Sequence, residues 1–200
     1  MKSHIKYIPA ASLLLVILLV SAPALAFKFD VWSTGMTLSE IVETARANNI
    51  PLTRAGVISR DSGFNQRFIN ERFWKASSVG YLTKLFGVNS TVSLRIAPER
   101  PRILYEIEIM MTGRMDKKRL YPELINMFIE KYGPPNKPKR SLKKAYQWNL
   151  NETDQIILKL FSAPILTYTD VSYKKAVEAQ SGYKYQNEKN EPIKNDADKF

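Results

Sequence analysis

The chain contains no cysteine, and its one histidine, His4, lies near the very start. Without cysteine no disulfide can brace the fold, so burial alone has to hold it. The two absences also exclude a Cys-His pair and any thiolate-based metal site. If His4 is removed with a leader, a Ser-His-Asp triad and imidazole ligation go with it. There is no glycine-rich phosphate loop and no run of acids at metal-ligand spacing. No cofactor and no metal is therefore expected. Nor is there a lipidation cysteine to tether an exported chain.

What is present at the N-terminus reads as a secretory signal over residues 1–26. Lys2 and Lys6 supply the positive start, Ala10 to Val20 is apolar apart from Ser12, and Ala24-Leu25-Ala26 gives a small-x-small exit. The apolar run is shorter than the roughly 20 residues that span a bilayer. Cleavage after Ala26 is expected, giving a periplasmic or secreted product with no stable membrane span. The alternative is an uncleaved N-terminal membrane anchor. Without Lys2 and Lys6 the chain keeps 28 basic residues against 19 acidic ones. The surplus concentrates between Arg95 and Lys144, where 13 cations meet 6 acids. Residues 181–200 hold four lysines and four acids with almost no apolar periodicity, and read as a solvated, disordered tail.

Residues 27–111 read as a first α+β unit. Thr37 is an N-cap with Glu40 three residues on, the spacing of a capping box, and Met36 with Ile41 fits a hydrophobic staple. Leu38, Ile41, Val42 and Ala45 share one face, and Asn48, Asn49 and Pro51 close the helix. An insert over 55–78 mixes Phe64, Phe68, Phe73 and Trp74 with Arg60, Arg67, Arg72 and Lys75. It reads either as a cap whose aromatics pack on the core or as a partner-binding surface, since aromatics with arginine are interface composition. From Tyr81 the period becomes two. "YLTKLF", the turn "GVNS", "TVSLRIA" and "ILYEIEIMM" predict a meander with one buried and one wet face, Glu106 and Glu108 lying on the wet one.

Residues 112–180 repeat the plan. A helix is expected with Pro122 at its first position and Leu124, Ile125, Phe128, Ile129 and Tyr132 as its stripe. Gly133-Pro134-Pro135 ends it. At about 11 residues it would span roughly 16 Å. A basic loop follows, then strands in "AYQWNL", "QIILKLF" and "PILTYTD", and a last helix capped by Asp170. The expected fold is α+β: two units, each a helix plus a three-stranded antiparallel sheet, in one globular body.

Gly35-Met36-Thr37 at a helix start, Ile41 one turn on, Pro51 as a stop and the Gly133-Pro134-Pro135 exit together resemble the BamE-like (SmpA/OmlA-type) periplasmic modules. A tandem of such units is similar to the β-lactamase-inhibitor-protein architecture. The resemblance covers roughly residues 35 to 170, with the insert and the missing lipidation cysteine as departures. It implies a non-enzymatic envelope protein that presents a sheet face or loops to a partner. Apart from the resemblance, the composition of the insert makes Phe64, Phe68, Phe73 and Trp74 the candidate partner-binding residues. A second expectation is a binder of anionic polymers (lipopolysaccharide, acidic glycan or nucleic acid). It would act through Lys117, Lys118 and Arg119 and through Lys137, Lys139, Arg140, Lys143 and Lys144. The bland alternative for these charges is solubility. A third is a hydrolase working with carboxylates alone, for which Glu106 and Glu108 are the nearest pair.

Overall fold

The computed structural model describes residues 28–99, 101–136 and 145–190, with 181–190 as backbone. Residues 1–27, with the expected signal over 1–26, residues 191–200 and the loop carrying Lys137, Lys139, Arg140, Lys143 and Lys144 lie outside the described residues. Strands are β1 (Lys28–Phe29), β2 (Trp32–Ser33), β3 (Ser78–Leu85), β4 (Val88–Ile96), β5 (Leu104–Met111), β6 (Ala145–Asn149), β7 (Asp154–Lys159) and β8 (Ile165–Asp170). Helices are α1 (Leu38–Ala47), α2 (Gln66–Glu71), α3 (Lys117–Tyr132) and α4 (Val171–Asn190). Among the described residues no helix is long and apolar enough to cross a membrane.

The α+β class stands, but the expectation of two three-stranded sheets does not. β3 to β8 form one antiparallel sheet in the order β3-β4-β5-β8-β7-β6. The two meanders meet where β5 pairs with β8, Glu106 opposite Thr169 through Met110 opposite Ile165. Fusion removes two edges whose unpaired amides would otherwise need cover. The remaining edges are partly capped. Thr53 exchanges backbone hydrogen bonds with Gly80 of β3 (2.9 and 2.8 Å), and Asn136 donates its N–H to Gln147 O of β6 at 2.7 Å.

Helix α1 follows its sequence signals. Thr37 N–H donates to Glu40 Oε2 at 2.7 Å, and Glu40 N–H returns to Thr37 Oγ1 at 3.4 Å. Asn49 takes the left-handed φ of +52° that ends the helix. The Gly-Met-Thr stretch also pins β5: Gly35 N–H donates to Leu104 O and Leu104 N–H to Met36 O, both at 2.8 Å. Gly35 permits this with φ +88°.

Several elements differ from expectation. The β3–β4 turn is Phe86-Gly87, not the "GVNS" segment: Leu85 pairs with Val88, and φ is +52° at Phe86 and +75° at Gly87. Two positive φ values fit the twist of a tight hairpin. Helix α3 runs from Lys117, so Pro122 lies inside it and not at its first position. Its buried stripe is Leu120, Leu124 and Phe128, while Ile129 is exposed. Helix α4 continues to Asn190, into the segment read as a disordered tail.

A single core lies between α1, α2, α3 and one face of the sheet. Across the strands that face reads Val79, Leu94, Ile107, Tyr168, Ile156, Trp148, and in the next row Tyr81, Val92, Ile109, Leu166, Leu158, Tyr146. Phe128 packs tilted at 36° against Trp148 with ring centroids 5.3 Å apart, and Trp148 Nε1 donates to Gly133 O at 2.8 Å. At the other end Trp32 Nε1 donates to Tyr81 Oη at 3.0 Å. Burial pushes the Tyr81 hydroxyl up to about 12, and burial raises Tyr168 as well.

Candidate functional site

The opposite face of the same sheet is chemically different. Its rows read Ser78, Arg95, Glu106, Thr169, Gln155, Asn149, then Gly80, Ser93, Glu108, Thr167, Ile157, Gln147. A third row is Leu82, Thr91, Met110, Ile165, Lys159, Ala145. Period-two alternation puts hydroxyls, amides and charges here by the same logic that put aliphatics on the core side.

Two segments cover part of this face. Helix α4 starts directly after β8, with Asp170 Oδ1 accepting from Ser172 and Tyr173 N–H at 2.9 and 3.1 Å. Val171, Lys174, Val177 and Gln180 are the half-buried positions, three apart, that meet the sheet. Lys174 Nζ reaches Glu106 Oε2 at 2.8 Å, and Gln180 Nε2 reaches Glu99 Oε2 at 2.8 Å. On the β3 side, the loop around Gly56 comes close to Thr91 and the Gly80–Tyr81 backbone. Between and beyond these covers, Gln147, Gln155, Ile157, Lys159 and Ile165 stay partly exposed on β6, β7 and β8.

Glu106, expected on a wet face, is only 3% exposed. One oxygen takes Arg95 Nε at 3.0 Å, and the other takes Lys174 Nζ and the Thr169 hydroxyl at 3.2 Å. Arg95 Nη2 also lies 3.6 Å from Glu108. The carboxylate is thereby committed to holding α4 on the sheet. The two acids flank one arginine, not an open space between them, which is not the arrangement of an acid–base pair. Sequence reasoning missed Arg95 and Lys174. The Arg95 signal was available, because it alternates to the outward side of its strand next to the outward glutamates.

The aromatic insert divides. Phe73 is fully buried and Phe68 is 8% exposed. Both belong to the core, as T-shaped neighbours with centroids 6.5 Å apart, which corrects their assignment to a partner surface. Phe64 is half-buried under the Arg46 guanidinium at 5.4 Å, and only Trp74 is well exposed, at 47%. The turn that carries Trp74 is clamped by Arg102. Its guanidinium donates to Trp74 O, to Ala76 O at 2.5 Å and to Ala97 O at 3.4 Å. Lys117, Lys118 and Arg119 are exposed at the head of α3, Arg119 facing Glu123 at 3.9 Å.

Comparison with family models, with curated sequences and with solved structures returns no match for this chain.

Proposed function

We propose that this chain is an exported, non-enzymatic binding protein that presents the uncovered part of its second sheet face to another protein of the cell envelope. One observation carries this reading. A six-stranded sheet that spends one face on its core leaves on the other a surface of amides, hydroxyls and a short apolar strip over β6, β7 and β8. Ile157 and Ile165 supply apolar area, while Gln147, Gln155 and Asn149 supply directional hydrogen bonding. This mixture is that of non-obligate protein interfaces. The leader-like residues 1–26 and the BamE-like opening at Gly35-Met36-Thr37 point the same way. The lack of histidine and cysteine after His4, and the engagement of Glu106 by two cations, argue against a catalytic role.

The test is affinity capture from the periplasm with the parent and with Ile157→Glu. Ile157 is half-buried on β7, so the variant is first checked for parental unfolding behaviour. It places a charge in the apolar strip and should abolish capture of the partner. Undiminished capture by a folded Ile157→Glu protein would remove this face from consideration. Binding of anionic polymers remains the second reading. Its described support is the exposed Lys117, Lys118 and Arg119.

A further inference from the structure

A cleft of about 590 Å³ opens where the aromatic insert meets the start of β3. Arg54, Arg72 and Lys75 line it together with Ser77 and Ser78, and Glu71 is its one acid. Glu71 is already paired with Arg67 at 3.0 Å. Among the described residues, Arg54, Arg72 and Lys75 make no ion pair of their own. The cleft therefore gathers three uncompensated cations and two hydroxyl donors around one concavity.

Its walls are fixed by structure that has other work. Arg54 follows Thr53, which is bonded on both sides to Gly80. Arg72 and Lys75 flank a tight turn anchored by the buried Phe73, and Arg102 holds that turn through the Trp74 and Ala76 carbonyls. Ser78 opens β3 opposite Arg95. The backbone frame is pre-set, while the exposed Arg54, Arg72 and Lys75 side chains become ordered on binding; three cations and two hydroxyls around one concavity suit a multiply charged oxyanion. A second cleft, of about 560 Å³, lies near Arg60, Asp61 and Lys84. It carries less surplus charge, because Arg60 is paired with Asp30 at 2.9 Å and the acid Asp61 lines it beside Lys84.

We propose that the Arg54–Arg72–Lys75 cleft binds a phosphate monoester, with Ser77 and Ser78 donating to its oxygens and the remaining volume taking the group it is attached to. This inference does not rest on the sheet-face reading and uses none of that reading's residues on β6, β7 and β8. The same chemistry is offered by a soluble phosphate ester and by a lipid headgroup, so the test has two arms. Binding of the purified protein is measured at near-physiological salt, where loose surface attraction is screened. One arm uses glycerol 3-phosphate, the other phosphatidylcholine vesicles containing phosphatidic acid. The variants are Arg72→Gln/Lys75→Gln and the charge-matched control Lys28→Gln/Lys175→Gln at two exposed lysines away from the cleft, each checked for parental unfolding behaviour.

The expected result is binding in at least one arm that the cleft variant weakens at least about tenfold, each lost charge-assisted contact being worth about a decade. The control should stay within about twofold of the parent. Whichever arm responds names the source of the phosphate. No binding in either arm, or equal loss in both variants, would overturn the proposal.

Discussion

The two faces of the six-stranded sheet are built from the same strands with the same period, yet one is nearly all aliphatic and aromatic and the other mixes polar side chains with a few apolar ones such as Met110, Ile157 and Ile165. The difference is set by what covers them. Three helices bring Ile41, Phe68, Leu124 and Phe128 to the first face and close a core. The second receives one helix, held by half-buried positions and a Lys174–Glu106 contact, and a loop at Gly56. Stability resides on the first face, where burial contributes about 1.5–3 kcal/mol per large side chain. The second face contributes less to stability, its buried members being polar residues such as Glu106, Thr167 and Thr169.

The largest expected effect breaks the comparison on the core side. Phe128→Ala removes a ring that is 2% exposed and packed on Trp148 and Tyr132. It should destabilise by about 3–5 kcal/mol, read from urea denaturation. A loss under about 1 kcal/mol would place Phe128 on a surface and invert the assignment of faces.

An intermediate effect is expected at the one buried charge of the second face. Glu106→Ala leaves Arg95 and Lys174 without their carboxylate. Both cations are partly exposed and can rehydrate, so the cost should be about 1–2 kcal/mol and not the larger value of a fully buried pair. Hydrogen exchange should show the first turns of α4 losing protection while β5 and β8 keep theirs. Unchanged protection in α4 would show that the helix is held by Val171 and Val177 alone.

The smallest effect concerns the cap of α1. The hydrogen bond from Thr37 N–H, followed by that from its hydroxyl, holds the Glu40 carboxyl below its ordinary 4.5. A carboxylate whose folded value is lowered stabilises the fold above its unfolded value and loses that contribution as pH falls through the folded one. Stability should therefore decline more steeply below about pH 4.5 in the parent than in Glu40→Gln. The two curves should converge at lower pH. Parallel curves across that window would show the cap to be absent in solution.

Much of this architecture is legible in the chain. The capping box at Thr37 and Glu40, the alternation of Ile107 and Ile109, and the stop at Gly133 are local devices, and local devices are written in short windows. The joining of β5 to β8 is not, because antiparallel edges carry no label for their partner. Pro122 misplaced the start of α3: proline favours a first turn, but this one lies on the exposed side of a helix capped earlier by Asp116. Phe68 and Phe73 were ambiguous because their arginine neighbours suit an interface and a core margin equally well. The burial of Glu106 depends on α4 folding back over the sheet, a tertiary event visible only once β8 is seen beside β5. The basic cleft was missed for the same reason, since Arg54 is brought to Arg72 and Lys75 by the Thr53–Gly80 pairing.

The contrast between the faces is tested most directly by site-specific photo-crosslinking in cells that express the full-length chain. A photoreactive residue is placed at Ile157 on the second face in one protein and at Met127, exposed on α3, in another. Both proteins should unfold at the parental denaturant concentration. The Ile157 position should yield a discrete cross-linked partner and the Met127 position none. Equal cross-linking from both positions, or cross-linking from Met127 alone, would contradict the account.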